Sequence, residues 1–274
     1  MNNKYSVLMA VYHKDKAEWL SFALDSMLNQ TISPDEIVLV EDGPLTKELY
    51  DVIAEYKKKL VDKLNVVTIE TNRGLGHALK VGILECKNEF IARIDADDYA
   101  CPERSEKQLK LFEEKPELAL IGTNVEEFNG TIDNVISHVI LPEEDAEIKE
   151  FCKSRNPFRH SSIMYRRSKV LEAGNYRDYY RVVQDYDLWN RMIRIGCHCH
   201  NIQEPLSYMR IGDDFYARRG GMKYLKSILR FKKEQWKNGD ISTIDFIKAS
   251  IIRTCICLAP NSVRDWFYRK FLRK

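Results

Sequence analysis

The chain has 274 residues, 44% of them hydrophobic and 31% charged, with a formal net charge of +2. That is enough to bury one elaborated domain, or one and a half, of ordinary soluble composition. No apolar run reaches the ~18 residues of a membrane span, and the run from Tyr5 is too short and early for a secretory signal, so a cytoplasmic protein is expected.

Residues 6–12 read as a buried first strand, and Trp19, Leu20, Ala23, Leu24, Met27 and Leu28 recur at helical spacing over 16–29. A second buried strand, 36–40, ends in Glu41-Asp42-Gly43-Pro44, and residues 46–61 read as helix. A third strand, 65–70, leads into the loop Asn72-Arg73-Gly74-Leu75-Gly76, which opens a helix to about Cys86; on its own this loop is a weak phosphate-loop signal. Strand 90–94 follows, then a helix from Pro102 to Lys115. Strands alternating with helices, and strands that are continuously apolar, predict an α/β fold: a mostly parallel sheet with helices on both faces.

In such sheets ligands sit beyond the carboxyl ends of the strands. At those ends lie Tyr12-His13-Lys14, Glu41-Asp42-Gly43, Asn72-Arg73-Gly74 and Asp95-Ala96-Asp97-Asp98. A planar ring (Tyr12) and a carboxylate (Asp42) suit a nucleobase. Strand alternation would set Asp95 and Asp97 side by side, where a hard divalent cation, Mg²⁺ or Mn²⁺, relieves their repulsion and holds a diphosphate. The plainer alternative is a solvated acidic turn capping the next helix.

Farther on, 118–122, 125–128, 131–139 and 161–165 read as strands, with Asn129-Gly130 as a hairpin turn. A short helix is expected over 168–173, and His160 is expected to be a packed, hydrogen-bonded histidine. Residues 182–195 read as a helix beginning near Asp185. Asp185 is either an N-cap or a general base, partly shielded by Tyr186 and Trp189, whose pKa is free to rise. Cys197-His198-Cys199-His200 reads as strand and not as a zinc site, because alternate strand side chains face opposite ways. The seven cysteines, scattered and without C-x-x-C, read as reduced thiols.

Charge is unevenly placed: residues 216–274 carry 15 Lys/Arg against 4 Asp/Glu, so the first 215 residues carry 28 against 37. Helices over 222–237 and 243–258, and the mixed basic–aromatic run after Pro260, suit either an anionic membrane surface or packing on the body. Nucleic acid is not expected, since no binding module is present and the body is acidic.

Taken together, these motifs resemble family 2 glycosyltransferases of the GT-A fold, a Rossmann-like sheet. The matching residues are Val7 to Tyr12, Leu24 to Thr31, Glu36 to Gly43, Asn72-Arg73-Gly74, Ala92 to Asp98 with Pro102-Glu103-Arg104, and Gln184 to Trp189. The resemblance implies inverting transfer from a nucleotide-diphosphate sugar, most often a UDP-sugar. It implies a glycan or lipid-linked acceptor, as in bacterial surface-polysaccharide assembly. By the same resemblance Tyr12 stacks on uracil, Asp42 pairs with its ring N–H, and Ala10 touches the nucleotide through its backbone. Arg73 belongs to the donor loop, Asp95 contacts ribose and sugar, Asp97 or Asp98 binds the metal, and Asp185 is the base. Glu41 stands where the family often has Asp, Gln184 where it often has Glu, and Lys80 where it has Asn. Competing readings are a sugar nucleotidyltransferase and a non-catalytic sugar-nucleotide-binding protein. The expected organisation is a GT-A domain over 1–215 and a basic helical extension over 216–274.

Overall fold

The computed structural model describes residues 4–212 and 219–260. Strands β1 (Tyr5–Val11), β2 (Glu36–Asp42), β3 (Leu64–Ile69) and β4 (Phe90–Arg93) form a parallel block in the order β3-β2-β1-β4. Helices α1 (Ala17–Leu28), α2 (Lys47–Leu60) and α3 (Leu75–Glu85) connect them. Alternation along β1 decides which layer each residue enters. Val7, Met9 and Val11 join the core under α1 and α2, whereas Leu8 joins the core under α3 with Val38, Val40, Leu79 and Ile83. Covering both faces is why the middles of β1 and β2 are apolar on both sides. It also turns all four carboxyl ends to one edge.

Beyond β4 the sheet is mixed, with some strands running along the parallel block and others against it. The remaining strands are β5 (Tyr99–Ala100), β6 (Leu118–Phe128), β7 (Val135–Val139), β8 (Met164–Arg166) and β9 (His198–Arg210). The order runs β4-β8-β6-β9-β5, with β7 on the free side of β6. Helices α4 (Arg104–Glu114), α5 (Asp145–Cys152), α6 (Arg167–Glu172) and α7 (Gln184–Arg194) cover it.

Three expectations need correction, and two elements were not expected. Residues 118–128 form one strand, not two. Gly122 interrupts nothing, because it is where Phe158 comes so close that a Cβ would lie 2.8 Å from the ring. The strand expected over 161–165 is a 3₁₀ turn, His160–Ser162, followed by the shorter β8, because the Ser161 and Ser162 hydroxyls bond to Asp95 and to the Arg159 carbonyl. The strand at Cys197–His200 runs on to Arg210, since parallel pairing with β6 continues through a bulged register. Finally, α5 and β5 carry too few apolar residues to register as periodic segments.

Helices α8 (Gly221–Lys237) and α9 (Thr243–Leu258) complete the described chain. α8 packs on the body through buried Leu225, Ile228, Phe231, Lys232 and Gln235. The Lys232 ammonium donates to Lys153 O (2.9 Å), Tyr186 Oη (3.0 Å) and Gln235 Oε1 (2.7 Å). Burial nevertheless pulls its pKa down to about 7. Lys232→Ala takes the shared donor from those three acceptors at a buried position and should cost about 2–3 kcal/mol of stability. A urea unfolding curve checks this; an unchanged midpoint means that the lysine does not hold α8. The basic–aromatic run expected over 261–274 lies outside the described residues.

Candidate active site

The parallel block delivers its polar ends to a single edge. Tyr12 follows β1, half-buried, with its backbone N–H on Asp15 Oδ2 (2.9 Å). Ala10, inside β1, is half-buried and paired in register with Val40. Asp42 ends β2, and its two oxygens accept the backbone N–H groups of Arg73 (2.8 Å) and Gly74 (2.9 Å). The Asn72 amide adds a bond to the Asp42 carbonyl (3.0 Å). Two glycines permit this clamp. Gly43 (φ +84°) turns so tightly that a Cβ would lie 2.6 Å from Asn72 N. Gly74 (φ +91°) stands where a Cβ would lie 2.7 Å from Arg181 Nη1. The segment 177–181 therefore lies over the loop, and Asp178 faces His77 (3.3 Å), Lys80 (3.6 Å) and Arg73 (4.0 Å). Lys80, a departure from the family pattern, is thus a counter-charge for Asp178.

Asp95, Asp97 and Asp98 converge, with oxygens all within 4.8 Å of one another. The convergence differs from the one expected. β4 stops at Arg93, and a turn closed by the Asp98 N–H on the Asp95 carbonyl (3.4 Å) gathers the three groups, not strand alternation. Asp98 is 2% exposed and accepts the Arg210 N–H (2.8 Å), which ties the turn to the end of β9. Burial, reinforced by Asp97 and Asp95, holds Asp98 well above the usual carboxylate range. Burial and Asp95 push Asp97 up to about 6. Such a set of hard oxygens, costly to ionise together, fits a divalent Mg²⁺ or Mn²⁺.

Two groups here were not foreseen. Asp15 is pushed up to about 7 by burial, with Asp97 and Asp95 adding to the shift, so a fourth carboxylate feels the cluster. Arg93, fully buried, pairs with Asp95 Oδ1 and donates to Ser161 Oγ (3.2 Å). Ser161 Oγ in turn accepts the Asp95 backbone N–H (2.7 Å). Burial opposes the charge on Arg93, but Asp95 outweighs it and keeps the guanidinium ionised. An arginine inside an apolar strand, two residues before Asp95 and hence on its face, was the available signal.

Asp185 lies in the first turn of α7. Its Oδ2 accepts from Asn156 Nδ2 (2.7 Å), and burial raises its pKa against the pull of the Tyr186 N–H, Asn156 and Arg93. The expected shield is only partly right. Tyr186 turns away to pack against Phe231 (ring centroids 4.6 Å apart, tilted by 56°) and donate to the Cys152 carbonyl (2.5 Å), while Trp189 is core. Asn156 is the group that grips the carboxylate, and a lone Asn before Pro157 gave no sign of it. Val183, just before α7, holds φ +77°, a left-handed conformation that a β-branched side chain rarely adopts. Backbone strain of this kind is concentrated at functional sites. His160 is packed as expected, its Nε2 2.7 Å from Tyr176 Oη, and burial beside Arg93 keeps it neutral.

A profile described as "Glycosyl transferase family 2" matches residues 6–196. The chain belongs to glycosyltransferase family 2. This transferase is 34% identical over 273 residues to the "UDP-Gal:alpha-D-GlcNAc-diphosphoundecaprenol beta-1,3-galactosyltransferase" of Escherichia coli, covering 99% of this chain and 97% of the relative. It is 36% identical over 270 residues to the "Amylovoran biosynthesis glycosyltransferase AmsE" of Erwinia amylovora, covering 97% and 98%. Its fold is shared with S. aureus TarS 1–349 in complex with UDP-GlcNAc (TM-score 0.66, 15% identity, 98% of this chain and 71% of that one). It is shared too with the mannosyltransferase PcManGT from Pyrobaculum calidifontis in complex with GDP-Man and Mn²⁺ (TM-score 0.62, 14% identity, 95% and 71%). The expected α/β GT-A-like fold and family are thereby established, and the nucleotidyltransferase reading falls away.

Proposed function

We propose that this glycosyltransferase moves a sugar, with inversion, from a UDP-sugar to a hydroxyl of a lipid-linked oligosaccharide in surface-polysaccharide assembly. It would do so as a peripheral protein on the cytoplasmic face of the membrane. The observation that carries this is the gathering of three carboxylates at the same sheet edge as the Asp42 clamp. The diphosphoundecaprenol substrate and the UDP-sugar donor in the name of the E. coli relative support the acceptor and donor classes. Division at residue 215 into a transferase domain and a basic extension belongs to the same proposal.

In this reading Tyr12 stacks on the base and the Ala10 backbone borders it. Each Asp42 oxygen keeps a lone pair beyond the one given to the Arg73–Gly74 loop, enough for the ring N–H of uracil. Asp95, held by Arg93 and Ser161, orients the ribose and sugar, and Asp97, backed by Asp98, supplies the metal-facing oxygens. A divalent cation bound to them would neutralise the diphosphate and improve it as a leaving group. Asp185 accepts the proton of the acceptor hydroxyl. The acceptor oxygen forms its bond to the anomeric carbon while the bond from that carbon to the diphosphate oxygen breaks, and the nucleoside diphosphate leaves with the electron pair. One displacement inverts the centre. Burial raises the Asp185 pKa, so kcat should fall on the acid side as that carboxyl takes up a proton.

The test is nucleoside diphosphate release from a panel of nucleotide-sugars with an undecaprenyl-diphosphate-linked sugar as acceptor. Asp185→Asn should lower kcat by about 10²–10⁴-fold with donor affinity retained. Full activity in that variant would refute the assignment of the base.

A further inference from the structure

The two C-terminal helices leave a solvent-facing surface that nothing in the transferase site uses. On α9 the exposed residues Ile244, Ile247, Ile251, Cys255 and Leu258 follow one another at intervals of three and four, with Ile252 beside them. That is the spacing of a buried helical stripe, yet Ile244 is 63% exposed and Ile251 60%. Half of the large apolar side chains exposed among the described residues lie on α8 and α9. Along α8 a second stripe at the same spacing is basic: Lys223, Lys226, Arg230, Lys233 and Lys237 are all exposed. The stripes adjoin, since Arg230 and Lys233 line the same groove as Ile247 and Ile251. Acidic groups on these helices are few: Glu234 pairs with Arg177 and Arg230, and Asp245 is consumed by the Ser242 capping box.

We propose that this face docks on an anionic lipid bilayer, with α9 lying in the interface plane and the α8 cations on the headgroups. The charge pattern selects the occupant. A second copy packed about a two-fold axis would set one basic stripe against its twin, which repels. The segment 261–274 adds Arg264, Arg269, Lys270, Arg273 and Lys274 against Asp265 alone, so its charge has the sign of the α8 stripe. Apolar residues beside a row of cations match the boundary between acyl chains and anionic headgroups. No described helix is long and apolar enough to cross a membrane, so attachment through this face is peripheral. The inward side of α8 meets the start of α7 through Phe231 and Tyr186, so a docked α8 would hold the Asp185 region close to the bilayer. This deepens the lipid-linked acceptor reading above.

The test is flotation of the full chain with vesicles of phosphatidylcholine, alone or mixed with phosphatidylglycerol, at low and high salt. Binding should require phosphatidylglycerol and weaken with salt. Ile247→Asp/Ile251→Asp and, separately, Lys226→Glu/Lys233→Glu should each lower the bound fraction by about tenfold or more. Both should keep wild-type release of nucleoside diphosphate with a short-chain, water-soluble acceptor. Equal binding to neutral vesicles, or wild-type binding by both variants, overturns the proposal. So does light scattering that finds a dimer which Ile247→Asp/Ile251→Asp dissociates. Vesicle binding needs neither donor nor acceptor, so its failure is distinct from a failure of the transfer reading.

Discussion

Asp97→Asn should abolish most sugar transfer and, in the presence of a chelator, raise the melting temperature. The two effects share one cause. Burial and Asp95 push the Asp97 carboxyl up to about 6, so at neutral pH the folded protein holds a charge that the unfolded chain carries at less cost. The folded state therefore binds more protons between about pH 4 and pH 6. Its stability declines as pH rises through that window and stays lower above it, by about 3 kcal/mol for this one group. Asparagine removes that cost, and for a chain of this length the gain is roughly 6–12 °C. Under the proposed metal-binding role it also removes an anionic oxygen facing the divalent cation, for an expected loss of about 10²–10³-fold in kcat. Calorimetry with EDTA and with Mn²⁺ checks the stability half. Mn²⁺ should stabilise the wild type more than the variant, and its affinity for the wild type should fall below about pH 6 as protons compete. A variant less stable than wild type in EDTA would contradict this account.

Arg93→Met should have the largest effect on stability. The guanidinium is fully buried, paired with Asp95, and within electrostatic reach of Asp98 and of Asp185 across the site. Methionine fills comparable volume but leaves the carboxylates without the buried cation that pairs with Asp95. Breaking a buried pair in this way costs about 3–5 kcal/mol, or roughly 10 °C here. The loss should shrink at pH 5, where Asp97 is largely protonated, and shrink again with Mn²⁺ at neutral pH. Lysine at this position keeps the charge without the fork that serves Asp95 and Ser161 together, so Arg93→Lys should fall between the two. Thermal unfolding of the three proteins across pH 5–8, with and without Mn²⁺, reads all of this. A loss independent of pH and metal would assign Arg93 a packing role alone.

Departures from local rules cluster around the site and mark what the transferase sacrifices for it. Val183 sits in a left-handed conformation just before Gln184 and Asp185, the latter the proposed base. Arg93 and Arg104 are both fully buried, and Arg104 spends its guanidinium on the Arg93 and Ile163 carbonyls (2.8 and 2.9 Å). A fold optimised for stability alone would carry neither buried arginines nor a β-branched residue at positive φ; here Arg93, braced by Arg104, backs the carboxylate turn, and Val183 leads into the turn of α7 that carries Asp185.

The sequence by itself determined the parallel block and its polar edge. Largely apolar runs at 6–12, 36–40, 65–70 and 90–94, joined by helices, call for a sheet between two helical layers, and chain polarity then turns Tyr12, Asp42, Arg73 and the Asp95–Asp98 run to one side. These signals are local in the chain, so reading along it recovers them. Tertiary structure alone decided the partners: Ser161 and Arg210 on the carboxylate turn, Asn156 on Asp185, Asp178 opposite Lys80, and Lys232 under Tyr186. Each joins residues tens of positions apart, and a buried polar group accepts whichever partner the packing brings within hydrogen-bond reach, with no periodicity to announce it. The same holds for the C-terminal helices. Their stripes are visible in the sequence, but only the docking of α8 through Lys232 and Phe231 decides which stripe is spent on the body and which is left facing outward.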